Sequence, residues 1–187
     1  MHKAHKPVKL YVWAMSDTNP GHVSLEIENT YISYWPTGED SETNDRIKSP
    51  PGKGNLKDFK FGFSHQVSFP SSYRTDRRLE RKDADSVLII NGLDTALMCQ
   101  RWEAFKAKPK RYNMKSYNCS TVVASFLEIG SGVAYGKTPC IKIDNYEADP
   151  VKRLFYKLRF MGNSIVMWTP TDVHQYALQI KSAKGFS

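Results

Sequence analysis

The chain has 187 residues and a formal charge of +8, which is length enough for one domain with a sizeable core. Three Cys without CxxC spacing exclude a disulfide framework and a zinc finger, and no stretch approaches the ~18 apolar residues of a membrane span. The basic residues are dispersed, with no RNP-type aromatic motif and no helix-turn-helix signal, so the charge favours anionic lipid or wall polymer over nucleic acid.

The basic start, Met1 to Lys6, precedes only a short strand-like apolar run, so no Sec signal peptide is expected. The cysteine usage points to synthesis in a reducing cytoplasm, and export would need a route without a cleaved signal. Leu10 to Met15 reads as a buried strand. After the turn cluster Ser16 to Gly21, His22 to Glu28 alternates: Val23, Leu25 and Ile27 on one face, His22, Ser24 and Glu26 on the other. Such alternation predicts a half-buried strand. Asn29-Thr30 turns the chain into a second strand, Tyr31 to Trp35, which completes a β-hairpin.

Pro36 to Lys60 reads as a long loop or insertion, Phe61 to Phe69 as β-like, and Ser86 to Asn91 as a strand. The charged run Arg74 to Lys82, which also holds Asp76 and Glu80, reads as a solvated face. Helices are predicted over Asp94–Lys108 and over Asn118–Ile129, the second stopping at Gly130. Short strands follow at Cys140–Ile143 and Ser164–Trp168. Thr169-Pro170-Thr171-Asp172 opens a last helix with a cap, a proline at the first position and an acid in the first turn. Helices and strands interleave without a regular βαβ alternation, so the fold class is α+β.

The chemistry centres on Cys119. A thiol at a helix N-terminus feels the positive end of the macrodipole, which favours thiolate. The N–H groups there can hold the oxyanion of an acyl-transfer intermediate. A thiolate needs a proton acceptor, and His22, opening a strand after a Gly turn, is the first candidate. His65 and His174 are alternatives, and His2 and His5 lie on the chain end. Cys99 and Cys140 read as structural core thiols.

The segments PGHVSLEIENTYISYWP and YNCSTVVASFLEIG, in that order, together with the closing WTPTDV, resemble the circularly permuted NlpC/P60 superfamily. That papain-like group includes the lecithin–retinol acyltransferase relatives. The resemblance implies a single permuted domain over 1–187, with an antiparallel sheet packed on the Cys-bearing helix and a loop-rich insertion around 36–85. It implies a Cys119 nucleophile, a His22 base and no metal or cofactor. Family members often place a His on the strand after the base. None stands in Tyr31 to Trp35, so Ser33 is the first candidate for the third position, with Asp40 or Glu39 as alternatives. Trp35, Tyr117 and Asn118 are candidate substrate contacts. The implied activity is amide hydrolysis of cell-wall peptide by a bacterial effector of the type VI kind, secreted into a target cell or periplasm. Its partners would be the substrate and an immunity or secretion-apparatus protein. A host-directed protease, deamidase or fatty-acyltransferase, and a binding module that has lost activity, are the alternatives.

Overall fold

The computed structural model describes residues 6–16, 19–36, 66–142, 154, 157 and 162–185. In chain order they form β1 (Val8–Trp13), β2 (His22–Ile27), β3 (Thr30–Ile32), β4 (Trp35–Pro36), β5 (Val67–Ser68), α1 (Tyr73–Glu80), β6 (Ser86–Ile90), α2 (Thr95–Ala107), α3 (Cys119–Ser131), β7 (Cys140–Lys142), β8 (Ser164–Val166) and α4 (Pro170–Ala183). The class is α+β: a four-stranded antiparallel sheet of order β3-β2-β1-β6, two small two-stranded ribbons, β4-β5 and β7-β8, and helices. The expected loop Pro36–Lys60, beyond Pro36 itself, lies outside the described residues with Asp40 and Glu39, as do 61–65, which include His65.

The apolar face of the sheet carries Val8, Leu10, Val12, Val23, Leu25 and Ile27, and α3 and α4 pack against it. Fully burying one such aliphatic side chain contributes roughly 1.5–3 kcal/mol. α3 is apolar on most of its surface because it lies between the sheet, α2 and α4. It runs past the expected stop at Gly130 to Ser131, where Gly132 in the left-handed region caps it. Gly130 serves packing instead: a Cβ there would lie 2.3 Å from the Met98 sulfur of α2.

The opposite face departs from the half-buried expectation. β2 is an inner strand, and its polar side is covered too: His22 and Ser24 are as buried as Val23 and Leu25. Register pairs Trp13 with His22 and Tyr11 with Ser24. Tyr11 and Trp13 then stack on Tyr73 of α1, at 4.4 and 5.7 Å between rings. α1 is therefore laid over the polar side of β2, and Asp76, one turn into α1, is fully enclosed.

Candidate active site

Cys119 is the first residue of α3. Asn118 caps the helix, accepting from the Thr121 N–H at 2.8 Å, and Thr121 Oγ1 accepts in return from the Asn118 N–H, closing a capping box. The Asn118 amide also donates to the carbonyls of Met114 and Trp168, both at 2.9 Å. Asn118 lines the cleft beside Cys119, but its amide is committed to these bonds. It sets the angle of the thiol rather than reading a substrate.

His22 opens β2 directly after Gly21. Gly21 has φ of +72°, and a Cβ there would meet the Trp13 carbonyl oxygen at 2.4 Å, so the sharp entry into the strand requires glycine. The His22 ring lies 4.3 Å from that of Trp35 and 5.6 Å from that of Trp13. Its Nε2 faces Asp76 Oδ2 at 3.1 Å and Ser33 Oγ at 3.0 Å. His22 also lies close enough to Cys119 for the sulfur to raise the imidazole pKa. With Nε2 engaged by Asp76, Nδ1 is the nitrogen left for the sulfur.

Asp76 is the acceptor at the centre of this network. Besides His22 it receives Tyr31 OH at 2.8 Å, Trp35 Nε1 at 2.8 Å and Ser33 Oγ at 2.9 and 3.0 Å. Burial alone would raise its pKa, but His22 and these donors hold it below the usual carboxylate range. Burial likewise opposes charging of His22, yet Asp76 first and Cys119 second lift it to about 10. The imidazole is thus held as an imidazolium across the neutral range.

The structure brings His22, Ser33 and Cys119 together, as the sequence suggests, and adds a residue that the sequence reading placed on a solvated face. Asp76 lies inside the basic run 74–82. The signal was the spacing: Asp76 and Glu80 stand four apart on α1 and both point inward, while the arginines between and around them are exposed. Ser33 donates to Asp76 and so supports the carboxylate that faces His22.

Two expected substrate contacts are corrected. Trp35 is buried behind His22 and spends its N–H on Asp76, so it walls the His22–Asp76 pair and not the cleft. Tyr117 packs on Tyr34 and Phe105 with Lys110 over its ring, away from the cleft lining. Cys140, expected in the core, is exposed, because β7 turns only its middle residue, Ile141, inward. Cys99 is half-buried against Thr30, and His174 meets Ser86 at 3.3 Å on another part of the molecule.

Tyr112 was not singled out by sequence. The Asn113–Tyr117 bridge, tied by an Asn113 side chain that accepts from Lys115 and Ser116, folds the loop back. This sets Tyr112, itself buried, beside Cys119 in the lining of the same cleft. Burial first, and Cys119 second, push its pKa well above the ordinary tyrosine value, so the hydroxyl keeps its proton and can donate it.

Beside Cys119 runs a narrow cleft walled by Met15, Pro20, Met114, Met167, Trp168 and Pro170, with no charged side chain among its described lining. Three methionines give the wall an adaptable apolar surface. Among the described residues no group of His, Cys, Asp and Glu is arranged to hold a metal ion, and no helix is long and apolar enough to cross a membrane.

Residues 83–184 match the family model described as the IcsB middle domain. The match covers more than half of the chain and includes Tyr112, Cys119 and the walls of the cleft from Met114 to Pro170, but begins after His22, Ser33 and Asp76. No curated protein and no solved structure matches the chain.

Proposed function

This chain belongs to the IcsB middle domain family, and we propose that it is a cysteine-dependent acyl-transfer enzyme of permuted papain-like architecture, acting through Cys119, His22 and Asp76. The observation that carries the reading is the buried relay from Asp76 through His22 to the first residue of α3. Asp76 fixes the imidazole by its Nε2–H and turns the other ring nitrogen toward the sulfur of Cys119. The sulfur attacks the acyl carbonyl, and the oxyanion is held by N–H groups at the start of α3 together with the Tyr112 hydroxyl. His22 gives its proton to the leaving group as the carbonyl re-forms, leaving a thioester on Cys119. An incoming amine, hydroxyl or water loses its proton to His22 as it displaces the sulfur.

The cleft favours an apolar acyl group. Cell-wall peptides carry carboxylates, and the described lining offers them no cation. The cleft as it stands has room for only about 10 Å³, so a hydrocarbon chain would enter it only as the flexible side chains of Met15, Met114 and Met167 swing aside. On this reading the bacterial effector setting implied by the sequence resemblance is kept, and the substrate moves from wall peptide to an activated long-chain acyl donor.

The test is intact-mass analysis after incubation with palmitoyl-coenzyme A. A palmitoyl adduct on Cys119, released by hydroxylamine, is expected in the wild type and absent in Cys119→Ala. Cleavage of a cell-wall stem peptide without any adduct from the thioester would return the substrate to the peptide class. In parallel, iodoacetamide should label Cys119 in the wild type, and His22→Gln should slow that labelling. For Tyr112→Phe, loss of one oxyanion donor should lower kcat by about 10²-fold with little change in KM. A rise in KM with kcat unchanged would assign Tyr112 to packing.

A further inference from the structure

The outer face of α1 carries a second feature that the thiol chemistry does not use. Arg74, Arg77 and Arg78 lie on the outer face of α1 and Arg81 is its left-handed C-cap; all four are exposed, and Arg77 pairs with Asp83 at 2.7 Å. With Lys82 and Thr75 they line an open groove of about 590 Å³, whose one acidic lining residue is Asp83. That volume falls within the roughly 300–1,000 Å³ of small-molecule sites. The same helix turns Asp76 inward to His22. α1 is thus basic outside and acidic inside, with only eight residues between its caps.

The geometry points to this groove as a binding site for a compact ligand bearing several clustered phosphate groups, one that steadies α1 and with it Asp76. Arginine forks match the oxygens of terminal phosphates two at a time. The stretch from Arg74 to Arg81 is ~10 Å long at 1.5 Å per residue, which spans a small polyphosphate and not a nucleic-acid track with its many backbone contacts. Among its described lining residues the groove has no aromatic side chain on which a base could stack. Like charges three and four apart on a short helix repel one another, and clustered phosphates across these arginines would relieve that repulsion. The binding claim stands apart from the proposed activity; only its effect on Asp76 rests on that reading.

The test uses the full chain and inositol trisphosphate at physiological salt, read by calorimetry and thermal shift. Saturable binding of one equivalent is expected, weakened at least tenfold in Arg74→Gln/Arg81→Asn. Arg81 sits at φ +59°, where Asn is well tolerated. The control Lys142→Gln/Lys184→Gln removes equal charge from exposed positions elsewhere and should bind like the wild type. Equal weakening in both double variants would reduce the effect to net charge and overturn the site, as would absence of binding. Vesicles of phosphatidylcholine carrying phosphatidylinositol bisphosphate separate the sources: competition by soluble trisphosphate assigns a lipid headgroup, and soluble binding without vesicle binding assigns a free phosphate ester. Equal binding to phosphatidylserine vesicles, or tighter binding to an oligonucleotide, would overturn the proposal. Bound trisphosphate should also speed iodoacetamide labelling of Cys119. If the trisphosphate binds while Cys119 stays unreactive throughout, the thiol reading fails and the groove stands.

Discussion

Asp76→Asn is expected to destabilise the protein by about 3–5 kcal/mol, the usual consequence of removing one member of a buried ion pair. For a chain of this size that lowers Tm by roughly 6–20 °C. The carboxylate has no exposure and gathers four side chains, His22, Ser33, Tyr31 and Trp35, drawn from β2, β3 and the segment that follows. An Asn can accept at one atom only and brings an N–H₂ against donors that need an acceptor. Acyl transfer should fall more steeply than stability, because His22 loses both its orientation and its charge partner. The pH profile separates these effects. His22 is raised to about 10 from an ordinary 6.5, so its contribution is complete below ~6.5 and disappears as pH climbs through its folded value. Asp76 is depressed, so its contribution is complete above the ordinary carboxylate range and disappears as pH falls through the lowered value. Wild-type Tm should therefore hold a plateau between these limits and drop on the alkaline side, and Asp76→Asn should flatten that alkaline drop. An Asp76→Asn protein with unchanged Tm and an unchanged alkaline limb would show that the pair does not hold the site together.

The elements carrying Cys119 and His22 were legible because they obey local rules. Asn118 and Thr169 are strong caps, Pro170 stands where a first-turn proline belongs, and the β2 alternation is period two. The third member was not legible for a physical reason. A carboxylate in a run of arginines satisfies every criterion of a solvated helix, and only the covering of β2 by α1 reverses the environment. That covering depends on Tyr73 stacking on Tyr11 and Trp13, contacts about sixty residues apart in the chain, which no local periodicity encodes. Tyr112 was hidden for a similar reason: its role comes from a loop closed by Asn113, not from a motif. Ser33 was found by elimination on its strand, and it does face His22, but as a donor to the carboxylate beside the base.

Cys119→Ala should abolish acyl-enzyme formation and lower turnover by about 10⁴–10⁶-fold, as loss of a nucleophile does elsewhere, while leaving Tm within a few degrees. Cys119 is buried at the helix start, but its sulfur supports no cap and no core contact that Ala would leave open by more than one small atom. Cys99→Ala and Cys140→Ala should retain activity, since one thiol meets Thr30 and the other is exposed on the β7-β8 ribbon. His22 needs a different substitution from the Ala that a sequence reading would choose. Truncation to Ala leaves the Asp76 carboxylate buried beside an empty ring site, so lost activity would be confounded with lost folding. His22→Gln keeps an N–H donor toward Asp76 and removes the base. It should lose turnover on the scale of Cys119→Ala yet melt closer to the wild type than His22→Ala does. Full activity in His22→Gln would move the base elsewhere. Full activity in Cys119→Ala, with labelling and adduct transferred to Cys99 or Cys140, would displace the nucleophile from α3 altogether.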